Sequence, residues 1–192
     1  MTFKYIQDKT FEKINFNEVS PEPAEYENCI FFNCDFSYVD LSGINFAECK
    51  FKQCNLSLAK LNKTTFRDVL FTDCNMLGLR LDDCNQVNLC FGFENCKLDH
   101  SSFFKTKIKK TMFKNCQLLE ADFTESDLTS SAFDNCDLDR AIFDNSILEK
   151  ADFRTACNYS IDPEANRVKK ARFSFPGVLG LLSKYNIEIE SY

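Results

Sequence analysis

The sequence predicts an all-β solenoid, a rod of square coils with about 20 residues each, and three observations support this prediction. From Tyr26 onward, a large apolar residue recurs at every fifth position. A small or compact residue, often cysteine, stands two positions before most of these large residues. Glycine and proline are scarce, with 5 and 4 in 192 residues, which excludes collagen-like and Pro/Gly-rich disordered chains. A period of five fits neither a helix nor a flat strand, but it fits a chain that turns a corner every five residues.

The large residues define the predicted interior of the rod. In a first register they run from Tyr26 to Phe91, with Gln86 as the polar exception, and after a shift of two residues they continue from Phe93 to Phe153. Phe11 and Phe16 also fit the first register, so 16 of the 21 phenylalanines occupy this position. Because residues two apart in a strand point to the same face, the small residue and the large one both face inward. The predicted structural core includes Phe31, Phe51, Phe71, Phe113, Phe123, Phe133, Phe143 and Phe153.

Nine of the 11 cysteines occupy the small inward position, and several, such as Cys34 and Cys54, are 20 residues apart. We therefore expect columns of free thiols that fill the core as small apolar groups. His100 is the single histidine, and no zinc-site spacing of cysteines is present, so the sequence predicts no metal and no cofactor. Cys90 and Cys157 are off the pattern, and Cys157 is the better candidate for a reactive thiol.

The sequence does not predict an enzyme. His100 is followed by Ser101 and Ser102, but a filled solenoid offers no pocket in which a base and a nucleophile would converge. No apolar run approaches the roughly 20 residues of a membrane helix, so no membrane partner is expected. The N-terminal residues lack the apolar segment of a secretory signal, which predicts a cytoplasmic protein.

Several five-residue segments match the motif A(D/N)LXX, among them residues 121–125, 126–130 and 141–145. The chain therefore resembles the pentapeptide-repeat family and, more weakly, its quinolone-resistance type represented by Qnr and MfpA. The resemblance covers residues 24–157 and implies a right-handed quadrilateral β-helix. The spacing of the large residues places the register shift near 91–93.

Charge is distributed unevenly along the predicted rod. Residues 97–114 carry a band of lysines, and residues 117–153 carry ten acids against two bases. The net charge of −6 makes direct binding to nucleic acid unexpected. An acidic surface that binds a basic partner is one interpretation, and a solvated surface that keeps the rod soluble is the other. The candidate interaction residues are Glu120, Asp122, Glu125, Asp127, Asp134, Asp137, Asp139 and Asp144.

Both ends are expected to depart from the repeat. Residues 1–23 are predicted to form a partial coil and a proline-containing loop, and residues 158–192 an irregular last coil followed by a cap. A short helix is expected to begin at Pro176, with Ile187 and Ile189 as a possible strand after it. The resemblance implies a homodimer through this helix, and a capped monomer is the alternative. The candidate dimer or cap residues are Val178, Leu179, Leu181, Leu182 and Tyr185.

Two functions are compatible with the sequence. The first is a non-catalytic protein-interaction or scaffold module whose partner the sequence does not identify. The alternative, which the resemblance implies, is a DNA mimic that binds the type II topoisomerases DNA gyrase and topoisomerase IV and protects them from quinolones.

Overall fold

The computed structural model describes residues 4–190, and it confirms the predicted parallel β-solenoid. Short strands and single β-bridges alternate with tight turns, and each coil lies beside the next in parallel register. The strands are β1 (Lys4–Gln7), β2 (Thr10–Glu12), β3 (Ala24–Glu27), β4 (Ile30–Phe32), β5 (Asn45–Ala47), β6 (Lys50–Lys52), β7 (Thr65–Arg67), β8 (Val69–Thr72), β9 (Phe91–Glu94), β10 (Met112–Lys114) and β11 (Ala132–Asp134). Three short 3-10 helices cover Leu81–Asp83, Pro176–Leu181 and Ser183–Tyr185. Among residues 4–190, no helix is both long enough and apolar enough to span a bilayer.

The solenoid has four faces, which we number in chain order. Face I contains the sheet β1-β3-β5-β7 and continues through the bridges from Lys107 to Arg167. Face II is the seven-stranded sheet β2-β4-β6-β8-β9-β10-β11. Face III is formed by bridges from Asn15 to Cys157, and face IV by bridges that include Asp40, Ser102 and Ile142.

Corners are made by non-glycine residues in the left-handed backbone conformation. On the corner between faces I and II, for example, Glu48 and Lys110 have φ of 54° and 61°. Each donates its N–H to a carbonyl of the next coil, that of Arg67 at 2.8 Å and that of Thr129 at 2.9 Å. Because the ladder between coils supports this conformation at most corners, the chain turns with very few glycines.

Stacked aromatic rings fill the interior. All eight phenylalanines named as core are buried, and none is more than 6% exposed. Two stacks of rings lie inside the rod, the first under face II and the second under face IV. They meet edge to face: the ring centroids of Phe113 and Phe123 are 6.0 Å apart and the ring planes lie at 88°. The first stack lies under face II with neighbouring centroids 4.7–5.5 Å apart, and its members are Phe11, Phe31, Phe51, Phe71, Phe93, Phe113, Phe133, Phe153 and Phe173.

The register shift lies earlier than the sequence pattern indicated. Val69 pairs with Phe91 and Phe71 pairs with Phe93, so the spacing between these two coils is 22 residues instead of 20. Phe91 therefore occupies the inward position that small residues usually take, two residues before the large residue Phe93. It is not the last large residue of the first register. The two additional residues come before Phe91, and not at 91–93.

The coil with the additional residues bulges at Gln86. Asn85 still donates its N–H to the carbonyl of Thr64 at 2.9 Å, as in the regular ladder. Gln86 is exposed, and its Nε2 donates to the carbonyl of Cys84 at 3.1 Å. Leu89 is buried instead, with 7% of its surface exposed. The polar side chain thus leaves the interior, since burial without a partner would be costly.

The C-terminal cap consists of two 3-10 helices, where the sequence predicted one helix. The first begins at Pro176, as expected, and the second ends before Asn186, whose φ is 48°. Gly177 and Gly180 disfavour a continuous α-helix. Residues 186–190 form no strand, so the expectation for Ile187 and Ile189 was wrong.

Candidate interaction surface

The eight candidate acids are distributed over all four faces, because outward positions recur on every side of a square coil. Their placement follows from the bridges that align each coil with the next. Asp127 lies on face I, Asp134 on face II, Asp137 and Asp139 on face III, Asp122 and Asp144 on face IV, and Glu120 and Glu125 at corners.

Five of these acids form a continuous surface across faces III and IV. Asp137 and Asp139 flank the buried Leu138 on face III, and Asp122 and Asp144 lie on successive coils of face IV. Glu120 occupies the corner between the two faces. We call Glu120, Asp122, Asp137, Asp139 and Asp144 the acidic surface. Arg140 lies in its middle, 3.2 Å from Glu120 and 3.6 Å from Asp139.

Two of the other acids, Glu125 and Asp127, pair with lysines of the preceding coil, and Asp134 accepts a hydrogen bond from the hydroxyl of Thr155 on the following coil at 2.9 Å. Lys105 lies 3.4 Å from Glu125, and Lys109 lies 3.1 Å from Asp127. Partial burial favours the neutral form of Asp127, but hydrogen bonds from Thr129 and the charge of Lys109 together hold its pKa below the ordinary value. The lysine band therefore neutralises part of the acidic band that follows it.

Several of the aspartates have a structural role that the sequence interpretation missed. Asp122 accepts the backbone N–H of Thr124 at 2.9 Å, and Asp127 accepts that of Thr129 at 3.1 Å. Asp137 accepts the N–H of Asp139 at 3.2 Å. Such side-chain contacts two residues ahead stabilise turns. The Asp/Asn position of the repeat motif was the available signal for this role.

The side chain of His100 points outward from the rod, and that of Ser101 points into its interior. His100 is exposed at a corner, with Nδ1 3.1 Å from a carboxylate oxygen of Glu120. The buried hydroxyl of Ser101 donates to the carbonyl of Leu98 at 2.6 Å. These two side chains do not meet as a base and a nucleophile.

The inward cysteines stack as the spacing predicted, and the column under face III continues across the register shift. All nine are buried, and each of Cys54, Cys74 and Cys136 donates its thiol to a carbonyl of the preceding coil at 3.3–3.4 Å. Burial raises the pKa of Cys49 to about 12, so this thiol stays protonated. Cys90 and Cys157 are exposed.

Cys157 does not have the acidity of an activated thiol. Partial burial and the nearby carboxylate of Asp137 raise its pKa above the ordinary value. Burial and a contact with Asp68 do the same for Cys90. Because the thiolate is the reactive form, both thiols are less reactive at neutral pH than a cysteine with the ordinary pKa.

The cap packs closely on the last coil and exposes apolar side chains on its outer side. The N–H of Ile161 donates to the carbonyl of Gly180 at 3.0 Å. A Cβ on Gly180 would lie 2.2 Å from the carbonyl oxygen of Tyr159, so glycine is required for this approach. Leu181 and Leu182 are half-buried. Outward-facing members of the cap are Phe175, Val178, Leu179 and Tyr185, which are 95%, 40%, 52% and 51% exposed.

Comparison with known families identifies the repeat on both sides of the register shift. The family model described as a pentapeptide repeat region matches residues 90–158. The model described as pentapeptide repeats (8 copies) matches residues 29–68 and 49–85. No curated protein sequence matches the chain.

Solved structures share the solenoid fold at low sequence identity. Full-length QnrB1, a plasmid-mediated fluoroquinolone resistance protein, is 16% identical with a TM-score of 0.62, and the match covers 95% of this chain and all of QnrB1. HetL, a pentapeptide repeat protein involved in heterocyst differentiation regulation in the cyanobacterium Nostoc sp. strain PCC 7120, is 16% identical with a TM-score of 0.42 over 89% of this chain and 88% of HetL. At these identities the similarity concerns the fold alone.

Proposed function

Because the chain belongs to the pentapeptide-repeat family, we propose that it is a non-catalytic protein-interaction module whose partners bind the outer faces of the rod. The observation that carries this proposal is the arrangement of the outward side chains. They stand in straight columns on a stiff support, because the ladder between coils and the aromatic stacks fix every position. The interior is filled with buried side chains, so recognition is confined to the outer surface.

A type II topoisomerase is the partner that we propose to test first. Two features support this choice: the fold of QnrB1, whose description is that of a fluoroquinolone resistance protein, and the acidic surface on faces III and IV. Carboxylates at regular spacing on a rod attract the basic surfaces that normally bind the DNA backbone. In this proposal the protein acts in the cytoplasm as a DNA mimic.

The experiment is a DNA gyrase supercoiling assay with added protein, with and without a fluoroquinolone. We expect inhibition of supercoiling by the protein alone, or rescue of supercoiling from the drug. The triple variant Glu120→Lys, Asp139→Lys, Asp144→Lys should lose the effect. These three acids are chosen because none of them accepts the backbone hydrogen bond of a turn.

A matched control makes the same change in net charge elsewhere. Glu12→Lys, Glu18→Lys, Glu22→Lys lies in the first coil, away from the acidic surface, and it should behave as the unmodified protein. Equal loss in both variants would show that only net charge matters. No effect of the unmodified protein at tens of micromolar would remove the topoisomerase proposal but leave the interaction module.

We also propose a homodimer through the outer side of the cap, where the exposed apolar side chains lie together. Exposed apolar patches of this kind often mark interfaces. Light scattering after gel filtration in 500 mM NaCl should give a dimer mass, and Leu179→Glu should give a monomer at this salt concentration. Ile142→Glu, at a residue 50% exposed on face IV, is the control that should remain dimeric.

A further inference from the structure

Along one corner of the rod, the charged side chains are acidic in the first half and basic in the second half. This corner, between faces I and II, is occupied once per coil by a residue with φ between 49° and 62°. We call it the charged corner, and its residues in order are Asp8, Asn28, Glu48, Asp68, Asn88, Lys110, Ser130, Lys150 and Lys170. Three acids thus precede Asn88, and three lysines follow it.

The six charged side chains are available to a partner. All six are exposed. Within residues 4–190, none of the six has an opposite charge within 4.0 Å, although other lysines of the same coils do, such as Lys109 with Asp127. Asp8 accepts a hydrogen bond from the side-chain amide of Asn28 at 2.6 Å, which leaves its charge uncompensated.

Among the side chains on face I that make no ion pair within residues 4–190, most extend the same separation of charge, with Arg67 on β7 as an exception. Glu25 and Glu27 lie beside the acidic half of the corner, on β3. Lys107 and Lys169 lie beside the basic half, on the later coils of the same face. The chain as a whole is acidic, with a net charge of −6, so a basic half on one edge is a local feature.

We propose that the charged corner binds a second copy of this chain in antiparallel orientation. A two-fold axis near Asn88 places the acidic half of each copy against the basic half of the other. It brings Asp68 opposite Lys110 of the partner copy and Asp8 opposite Lys170. Glu48 then lies opposite Ser130 and Lys150 opposite Asn28, each one coil step from a residue of opposite charge. Parallel alignment would instead put like charges together. Self-complementarity about an axis is the property that an isologous dimer requires.

Val87, next to Asn88 at the proposed axis, fits this arrangement. Val87 is 67% exposed in the coil that carries the two additional residues. A side chain beside a two-fold axis meets its own copy, and two valines make an apolar contact there. The bulge that removes Gln86 from the interior therefore also presents an apolar side chain at the centre of the charged corner.

The size of the contact predicts a weak and salt-sensitive association. Eight steps between coils at about 4.8 Å give a corner of about 38 Å. One edge of a rod buries less than the roughly 1,200 Å² of a standard interface, which is the range of transient complexes. Exposed charges are screened within about 10 Å at 0.1 M salt, so we expect dimerisation at low ionic strength only.

The test uses two variants with opposite charge along the whole corner, both in the Leu179→Glu background so that the cap does not contribute. The basic variant is Asp8→Lys, Glu48→Lys, Asp68→Lys. The acidic variant is Lys110→Glu, Lys150→Glu, Lys170→Glu. Sedimentation velocity is measured at 50 and 500 mM NaCl, and circular dichroism melting checks that each variant is folded.

Leu179→Glu alone should dimerise at 50 mM NaCl and lose the dimer at 500 mM. Each variant alone should be monomeric at both salt concentrations, and an equimolar mixture of the two should regain the dimer. A Leu179→Glu protein that stays monomeric at about 100 μM in low salt would overturn the proposal. A mixture that remains monomeric would also overturn it. Loss of the dimer in the acidic variant only would overturn it too, because the three lysines would then contact an anionic group other than the acids of the charged corner.

Discussion

Phe123 has a ring above it, a ring below it and two rings at its edge. The centroids of Phe103 and Phe143 lie 4.8 and 5.0 Å away, and Phe113 and Phe133 meet it at 88° and 89°. We expect Phe123→Ala to lower the free energy of unfolding by about 3–5 kcal/mol, because the cavity cannot collapse between fixed coils. Urea unfolding measures the change. Phe175→Ala is the control, since this ring is 95% exposed and its loss should cost less than about 0.5 kcal/mol.

At the same scale, the period of five identified the inward positions but not the polar contacts around them. Phe31 and Phe153 follow from spacing alone, because each five-residue side of a coil has two inward places. The exception at Gln86 was visible as a polar residue, but its outward placement depends on a hydrogen bond to the Cys84 carbonyl. Periodicity also missed the pairing of Asp127 with Lys109, since long side chains reach between coils in more than one way.

The cap is the element that combines a tight backbone contact with a small ionic cluster. Lys184 places its ammonium 2.7 Å from Asp162 and 2.6 Å from Glu164, on the loop of the last coil. This ammonium holds the pKa of both carboxyl groups below their ordinary values. A carboxyl group whose pKa is lower in the folded state stabilises the fold at pH values above its unfolded-state pKa, which is near 4. This stabilisation disappears as the pH falls through the folded-state pKa.

We therefore expect the stabilising effect of Lys184 to be constant between pH 5 and 8 and to fade below about pH 4. The measurement is the difference in melting temperature between the unmodified protein and Lys184→Met from pH 2.5 to pH 8. Lys169→Met is the control, because this exposed lysine makes no ion pair within the described residues, and its difference should not vary with pH. A Lys184→Met difference that persists at pH 2.5 would contradict an ionic contribution and point to packing.

The sequence predicted the cap as an element but not its form. Pro176 marked the beginning of the helix, and the apolar run after it indicated a covering segment. The sequence pattern did not show that Gly180 would approach the Tyr159 carbonyl too closely for any side chain. That contact joins two segments 21 residues apart, and tertiary contacts of this kind override local helix propensity.

Across the whole molecule, the register shift divides the sequence pattern but not the packing. Strands β8 and β9 pair in parallel across it, with four residues in register on each side. The aromatic stack under face II also continues, since the centroids of Phe71 and Phe93 lie 5.5 Å apart. In a solenoid each coil contacts only its neighbours, so cooperativity depends on the weakest junction between coils. On face II the junction keeps both its ladder and its ring contact, whereas on face I no bridge among the described residues joins β7 to the coil of Lys107.

We therefore expect the two halves of the rod to unfold in one transition. Hydrogen exchange measured by mass spectrometry in increasing urea should give the same midpoint for peptides from residues 30–60 and 110–140. Phe93→Ala removes the ring that joins the halves, and it should separate the two midpoints. Phe31→Ala lies in the same stack but far from the junction, so it should lower stability without separating residues 70–90 from the second half. Two transitions in the unmodified protein would mean that the bulge at Gln86 interrupts the coupling, and that the chain behaves as two solenoids joined end to end.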